Sequence, residues 1–157
     1  MLKVLFVCTG NICRSPMAEA VFQHLVNQAG LSDQFIVDSA GTEDWHAGEP
    51  AHSGTLNVLR QHHIPYHGRS RQVTPSDFNT FDYILAMDRS HLNYLQRRAG
   101  SSTAQISLFL TPAYEAGLVS VQEVPDPYYN GHYNQTYELV SVGCAALLDY
   151  IRAEQGI

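Results

Sequence analysis

A short segment after the first apolar run of the chain combines the residue types needed to bind and attack an anion. It reads CTGNICRS from Cys8 to Ser15. A loop between a strand and a helix can direct several backbone N–H groups inward, and the helix N-terminus adds partial positive charge. Arg14 offers a planar fork that matches two oxygens of a phosphate, and Gly10 permits backbone angles that other residues resist. The same field favours a nucleophilic thiolate at Cys8.

Attack on a phosphoryl group also needs an acid, because a departing phenolate or alkoxide must take up a proton. Asp126, in VPDPYYNG, is the best candidate. Pro125 and Pro127 restrict the backbone on both sides of it, and Tyr128 and Tyr129 could wall the entrance. Taken alone, this segment is more typical of an ordinary Pro-rich turn. Its combination with CTGNICRS favours the catalytic interpretation.

The elements predicted around these residues alternate between strands and helices. An apolar run over residues 2–7 predicts a buried strand that ends at Cys8. Apolar residues at helical spacing then continue to Gly30, with Ser15 as the predicted N-cap and Pro16 as the first helical residue. The remaining predicted elements are strands at 35–41, 81–87 and 105–108, and helices at 53–62, at 88–98 and around 139–150.

This alternation predicts one α/β domain over residues 1–157, with a central four-stranded parallel sheet and helices on both faces, a single three-layer arrangement. We expect the flavodoxin-like or Rossmann-like strand order 2-1-3-4. A chain of 157 residues can bury its own core without disulfides. Ligands of such sheets bind beyond the carboxyl ends of the strands, where Cys8 falls. Two long irregular stretches, 41–51 and 124–133, are candidate functional loops.

Composition argues against several classes of protein. The net charge of -6 opposes general affinity for nucleic acid or for an anionic membrane surface. An odd number of cysteines, three, is a poor disulfide framework for a secreted protein, so we expect a reducing, cytoplasmic location. The opening MLKVLFVCTG is typical of a strand rather than of a signal peptide, and no apolar stretch is long enough to span a membrane.

Three segments together closely resemble the low-molecular-weight protein tyrosine phosphatases. They are CTGNICRSP near the N-terminus, SRQVTPSDFNTFDYILAMD in the middle, and the Asp-Pro pair with two tyrosines near the C-terminus. They occur in the family's order and spacing, over essentially the whole chain. The resemblance implies hydrolysis of phosphotyrosine monoesters with no cofactor and no metal. It also implies phosphotyrosine proteins as partners, inorganic phosphate and vanadate as active-site ligands, and a monomer or weak dimer.

The resemblance assigns roles to individual residues. Cys8 would be the nucleophile that forms a phosphocysteine, Arg14 the phosphate clamp, and Asp126 the acid for the phenol and then the base for water. Trp45 lies in the polar stretch TEDWHAGEP, which favours a place at the rim over a place in the core. The residues expected to contact substrate are Thr9, Gly10, Asn11, Ile12, Cys13, Ser15, Trp45 and Tyr128.

A second set of residues would support the loop. By resemblance, Ser15 donates its hydroxyl to the nucleophile, and Asn11 props the loop open through hydrogen bonds that include Ser39. Many family members carry a histidine where this chain has Gly68, with His67 just before it. Two alternatives follow: His67 substitutes through a shifted backbone, or the loop is held by Ser39 alone.

The cysteines suggest a redox role as well. In the family, a cysteine at the position of Cys13 can form a reversible disulfide with the nucleophile, and a reactive thiolate at Cys8 would be open to peroxide. The alternative is that Cys13 is a small buried hydrophobe. Cys144 is expected to pack in the last helix.

Other functions fit the sequence less well. An arsenate reductase of the same fold needs a cysteine pair around LAMDRSHL, which is missing, although a glutaredoxin-dependent variant remains open. A non-catalytic phosphate-binding module would be expected to lose a catalytic residue, yet all three are present. A nucleotide-binding loop lacks its Gly-Lys-Ser or Gly-Lys-Thr. Zinc binding is disfavoured because Pro65 interrupts any helix that would align His63 with His67.

Overall fold

The four strands form one parallel sheet. The computed structural model describes residues 1–157. The strands are β1 Leu2–Cys8, β2 Phe35–Gly41, β3 Tyr83–Ala86 and β4 Gln105–Leu108. They lie in the order β2-β1-β3-β4 and all pairs are parallel, which confirms the predicted sheet. Strand β3 is shorter than the predicted 81–87 at both ends.

Seven helices cover the sheet. They are α1 Arg14–Gln28, α2 Ser53–Gln61, α3 Asp77–Thr80, α4 Arg89–Arg98, α5 Thr111–Glu115, α6 Pro127–Asn130 and α7 Tyr133–Gln155. The patterns predict α1, α2, α4 and α7. Helices α3, α5 and α6 have four or five residues each, too few to show a helical period. None of the seven has the combination of length and hydropathy that a membrane-spanning helix requires.

The predicted start of α1 is wrong by two residues. The helix begins at Arg14 with Cys13 in the N-cap position, so Ser15 lies inside the first turn. The Ser15 hydroxyl does not cap the helix because other side chains hold it, as described below.

Side chains of β1 alternate between two apolar cores. Val4 and Phe6 belong to the larger core, where Phe6 meets Phe22 of α1 edge to face at 5.5 Å between ring centroids. Leu5 and Val7 belong to the smaller core on the opposite face, with apolar residues of α3 and α4. Helices α1, α2 and α7 supply the larger core. The sheet is therefore covered on both faces, as expected for parallel strands.

The carboxyl ends of β1 and β2 meet beside one loop. Cys8 pairs in register with Gly41. A Cβ at Gly41 would lie 2.6 Å from the Thr9 carbonyl oxygen, so only glycine allows β2 to end this close to the residues after β1. The junction between β1 and α1 is thereby fixed at the edge of the sheet where the candidate site lies.

Candidate active site

A cleft of about 230 Å³ opens at the carboxyl ends of the strands. Most of its lining comes from residues 8–14, together with side chains from the two long loops predicted to be functional. The lining residues are Cys8, Thr9, Gly10, Ile12, Cys13, Arg14, Trp45, His46, Asp126, Tyr128 and Tyr129. The predicted contacts Asn11 and Ser15 lie beneath the cleft instead. His46 was not singled out from the sequence, although it adjoins Trp45.

The active-site loop, residues 8–15, presents its backbone donors to this cleft. No N–H group from Thr9 to Ser15 donates a hydrogen bond within the protein. Neighbouring elements hold the loop through other atoms instead. Its carbonyl groups accept bonds, including one at Gly10 from the Ser70 hydroxyl at 2.8 Å. Unpaired N–H groups at a helix N-terminus form a concave anion site.

The Cys8 sulfur contacts one hydroxyl group. Cys8 is 3% exposed, and its Sγ lies 2.9 Å from the Ser15 Oγ. Ser15 Oγ accepts a hydrogen bond from the side-chain amide of Asn11 at 2.8 Å. Ser15 Oγ has no other hydrogen-bond partner than these two, so its single proton is available to the Cys8 sulfur.

Asn11 organises the loop from below. It is 2% exposed and has a left-handed backbone (φ 57), which asparagine tolerates better than most residues. Its amide nitrogen donates to Ser39 Oγ at 2.9 Å as well as to Ser15. Its side-chain oxygen accepts from the backbone N–H of Arg71 at 3.0 Å. All three bonds fix the orientation of the amide.

Arg14 is held rigidly at the far end of the loop. Its side chain is almost fully buried, and Nη1 donates to Asp88 Oδ2 and to the Val124 carbonyl, both at 2.9 Å. Burial alone would raise the pKa of Asp88, but the hydrogen bond from Ser90 and the guanidinium of Arg14 outweigh it and hold that pKa below its ordinary value. Asp88 was not identified from the sequence as part of the site.

Asp126 lies on the opposite wall. It is the N-cap of α6, and its Oδ1 accepts the backbone N–H of Tyr128 at 3.0 Å. Its Oδ2 lies 3.4 Å from Nη2 of Arg14. The cap and Pro127 at the first helical position hold the carboxyl group over the cleft.

A buried histidine joins the loop to the support of Arg14. His91 is 2% exposed, and its Nδ1 accepts the backbone N–H of Asp88 at 3.2 Å. Nε2 therefore carries the proton and donates to Thr9 Oγ1 at 2.8 Å. Burial lowers the pKa of His91 to about 4, helped by the positive charge of Arg14, so the ring is neutral at pH 7. The spacing of Asp88 and His91 in a capping box is the sequence signal that could have identified it.

Neither alternative for the loop support describes the structure fully. His67 is exposed and makes no hydrogen bond. Ser39 accepts from Asn11, but Ser39 Oγ in turn donates to Glu19 at 2.6 Å. Tyr66 donates to the same Glu19 oxygen at 2.9 Å. The Tyr66 ring fills the space beside Gly68, where an added Cβ would overlap with it.

Cys13 is buried at 4% exposure and has its own partners. Its Sγ lies 3.5 Å from the Tyr133 hydroxyl, which lies 3.0 Å from Nδ1 of His52. Burial raises the pKa of the Cys13 thiol to about 11. All three cysteines are reduced, and Cys144 is fully buried in α7.

Three aromatic side chains form the rim. Trp45 is 65% exposed, at the mouth rather than in the core, and Tyr128 and Tyr129 stand together edge to face at 5.2 Å on the wall that carries Asp126. Ile12 adds an apolar surface on the side of the loop. No group of three or more His, Cys, Asp or Glu side chains lies close enough together to hold a metal ion.

A loop with Cys8 and Arg14 lies at the end of β1 in the parallel sheet, and the Asp126 carboxyl group lies opposite it. This arrangement is that of an α/β domain with a phosphate-binding site. A model of the family "Low molecular weight phosphotyrosine protein phosphatase" matches residues 3–156, and the chain belongs to this family. It is accordingly a protein tyrosine phosphatase of the low-molecular-weight class.

Individual relatives agree with this assignment. The low molecular weight protein-tyrosine-phosphatase YfkJ of Bacillus subtilis is 43% identical over 157 residues, 99% of each chain. A YfkJ crystal structure gives a TM-score of 0.92, covering 98% of this chain and 96% of that one. A Drosophila arginine phosphatase is similar at 35% identity and a TM-score of 0.89, covering 96% and 98%. Vibrio vulnificus Wzb, in complex with benzylphosphonate, gives 27% identity and 0.79, covering 95% and 98%.

Proposed function

We propose that the protein hydrolyses phosphotyrosine monoesters through a phosphocysteine on Cys8, with Arg14 as phosphate clamp and Asp126 as acid and base. The observation that carries the proposal is that one cleft holds all three side chains, with the unpaired N–H groups of the active-site loop around them.

In the first step the Cys8 thiolate attacks phosphorus. The sulfur–phosphorus bond forms as the phosphorus–oxygen bond to the phenol breaks, and Asp126 gives its proton to the departing oxygen. The loop N–H groups and Arg14 stabilise the negative charge on the three equatorial oxygens. The Ser15 hydroxyl, 2.9 Å from the sulfur, donates to the attacking thiolate.

In the second step the Asp126 carboxylate takes a proton from water, whose oxygen attacks the phosphocysteine. The sulfur–phosphorus bond breaks, the Cys8 thiolate returns and inorganic phosphate leaves. Arg14 and the loop N–H groups serve both steps because the charge develops on the same oxygens.

The rim favours an aromatic substrate. Ile12, Trp45 and Tyr128 offer apolar and π surfaces to a phenyl ring. The arginine phosphatase among the structural neighbours makes phosphoarginine a second candidate. A guanidinium needs a carboxylate partner, but Asp126, the one carboxylate that lines the cleft, serves as the acid in the proposed mechanism. No second carboxylate lines the cleft to bind a guanidinium, which favours phosphotyrosine.

The experiment compares wild-type protein with Cys8→Ser. Wild type should release phosphate from p-nitrophenyl phosphate and from a phosphotyrosine peptide in the presence of EDTA, with vanadate and phosphate as competitors, and Cys8→Ser should be inactive. Full activity in Cys8→Ser would remove the phosphocysteine mechanism. Faster turnover of a phosphoarginine peptide would favour the second candidate. Phosphate binding without turnover would support a binding module, and thiol-dependent arsenate reduction would support the reductase.

We also propose that Cys13 protects the nucleophile. Hydrogen peroxide would convert Cys8 to a sulfenic acid; the Cys13 sulfur would then attack it, forming a disulfide as the sulfur–oxygen bond breaks and water leaves. The raised pKa of Cys13 and its contact with Tyr133 make this step slower than for a free thiolate. Peroxide followed by dithiothreitol should restore activity in wild type but not in Cys13→Ser, and equal irreversible loss in both would contradict the proposal.

The proposed mechanism also suggests where the protein acts and on which substrates. We propose that the substrates are phosphotyrosine proteins of the cytoplasm, where a reducing environment keeps Cys8 available. We propose a monomer or weak dimer, which sedimentation at increasing concentration would test. Cys8→Ser used as a trap in native lysate should retain tyrosine-phosphorylated proteins and release them on addition of vanadate.

A further inference from the structure

A chain of directed hydrogen bonds leads from the nucleophile into the protein. Ser15 Oγ accepts from Asn11 and has the Cys8 sulfur as its one other partner, so the Ser15 proton is available to Cys8. Ser39 also accepts from Asn11, so its own proton goes to Glu19 at 2.6 Å. Every hydroxyl along this path accepts once and donates once.

The chain ends on a carboxylate with two donors. Oε1 of Glu19 accepts from Ser39 and, at 2.9 Å, from the phenol of Tyr66. Burial raises the pKa of Glu19, while these two hydrogen bonds oppose the rise, with Asp38 and Arg71 as the other charged groups nearby. The phenol therefore helps keep Glu19 ionised. An ionised Glu19 is the acceptor that fixes which way the Ser39 hydroxyl points.

We propose that Tyr66 is a positioning residue for the nucleophile, acting through Glu19, Ser39, Asn11 and Ser15 on Cys8. Its hydroxyl donates to the Glu19 carboxylate at the end of the chain. The hydrogen bonds that follow keep the Ser15 O–H group pointed at the Cys8 sulfur. This inference rests on the proposed role of Cys8.

Gly68 is the partner that makes room for this phenol. A Cβ at Gly68 would overlap with the Tyr66 hydroxyl and lie 2.5 Å from Cζ of its ring. Gly68 does not have a positive φ, so alanine is compatible with its backbone. Tyr66 and Gly68 are thus coupled by steric contact rather than by backbone conformation.

Tyr66→Phe tests the proposal because it keeps the ring and removes the hydroxyl. One hydrogen bond of this kind contributes enough to expect a kcat roughly three- to tenfold lower. The rate of inactivation by iodoacetamide, which reports the Cys8 thiolate, should reach its midpoint roughly half to one pH unit higher. Tyr94→Phe is the matched control, since that hydroxyl makes no hydrogen bond and its ring lies under Arg98. The control should match wild type in both readouts.

A double-mutant cycle tests the coupling to Gly68. Gly68→Ala should displace the phenol from Glu19 and raise the iodoacetamide midpoint as Tyr66→Phe does. In a Tyr66→Ala background the space is free, so Gly68→Ala should add no further change. Equal effects of Gly68→Ala in both backgrounds would contradict the coupling.

The outcomes separate this inference from the proposed function. If wild type has no phosphatase activity, the proposed function fails. If wild type is active and Tyr66→Phe has the same inactivation midpoint, even with a lower melting temperature, Tyr66 is only structural and the inference is wrong.

Discussion

Cys8 is the proposed nucleophile and Asp126 the proposed acid and base. The two side chains are positioned by different kinds of contact. The Cys8 sulfur contacts one hydroxyl group, that of Ser15, and the oxygen of this hydroxyl accepts a hydrogen bond from Asn11. The Asp126 carboxyl group depends on its place as the N-cap of α6 and on Arg14 across the cleft. An Asp126→Asn substitution keeps the shape of the side chain and removes its proton-transfer capacity. It therefore separates the effect of proton transfer from the effect of substrate binding.

Asp126→Asn should slow substrates according to their leaving group. With phenyl phosphate, whose phenolate needs a proton, kcat/KM, which reports the steps up to release of the phenol, should fall about 10²- to 10³-fold. With an activated aryl phosphate such as p-nitrophenyl phosphate, the loss should be much smaller, because that leaving group departs with little protonation. Steady-state kinetics on both substrates measures the difference. Asp149→Asn, on the exposed face of α7, is the control and should change neither rate. Equal losses of kcat/KM on both substrates would remove Asp126 from the acid role.

At the scale of an element, the residues at the N-terminus of α4 have two roles. They cap the helix, and they also hold the active-site loop. The side chain of Asp88 caps the first turn and also binds Arg14, while His91 completes the capping box and donates to Thr9. One turn of helix thus fixes both ends of the active-site loop. The cost is a buried histidine that resists protonation.

Acid should weaken the fold through His91. Its pKa lies at about 4 in the folded protein against an ordinary value of 6.5, so the unfolded chain binds more protons between these values. The sign is that the free energy of unfolding falls as pH drops through this window. At about 1.36 kcal/mol per pKa unit, the full effect is about 3 kcal/mol.

Urea unfolding of wild type and His91→Asn at pH 7, 5.5 and 4 measures this effect. The variant starts less stable because it loses the contact with Thr9, but its stability should fall less with acid. His67→Asn is the control, since that ring is exposed and makes no hydrogen bond. Parallel pH curves for wild type and His91→Asn would show that His91 does not titrate in this way.

At the scale of the whole molecule, one sheet joins everything that the site needs. Strand β1 contributes to both apolar cores and carries Cys8 at its end. The loops that bring Trp45, Tyr66 and Asp126 to this edge are far apart in sequence and meet because the parallel strands end together. We therefore expect the chain to unfold as one cooperative unit.

Phosphate should raise the melting temperature of this unit. At 100 times its dissociation constant, a ligand of the folded state adds about 2.7 kcal/mol. For a domain of this size that corresponds to a rise of about 5–10 °C. Far-ultraviolet circular dichroism and Trp45 fluorescence should give the same midpoint, with sodium chloride at equal ionic strength as the control. Two separate transitions would contradict a single domain.

Local patterns in the sequence were sufficient for the features that lie in short, continuous segments. The four strands, the long helices and the residues 8–15 follow from apolar periodicity and one motif, because strand and helix periods and a loop before a helix are local properties. The strand order came instead from the expected flavodoxin-like or Rossmann-like fold, and it is confirmed. The placement of Trp45 at the rim follows from its polar neighbours. The prediction of Ser15 as the helix cap was wrong because its hydroxyl contacts Asn11 and Cys8 instead of a backbone N–H group.

Only the tertiary structure decided which distant side chains hold the site. Thr9 and His91 are 82 residues apart, and Cys13 and Tyr133 are 120 apart, so no local period connects them. Tyr66, in the segment after α2, and Glu19 of α1 are 47 residues apart, yet the phenol donates to the carboxylate. Hydrogen-bond direction depends on which partners meet in space, and a sequence pattern does not record that. Local chemistry therefore identified Cys8 and Arg14 as the proposed nucleophile and clamp, whereas packing determined which side chains hold them.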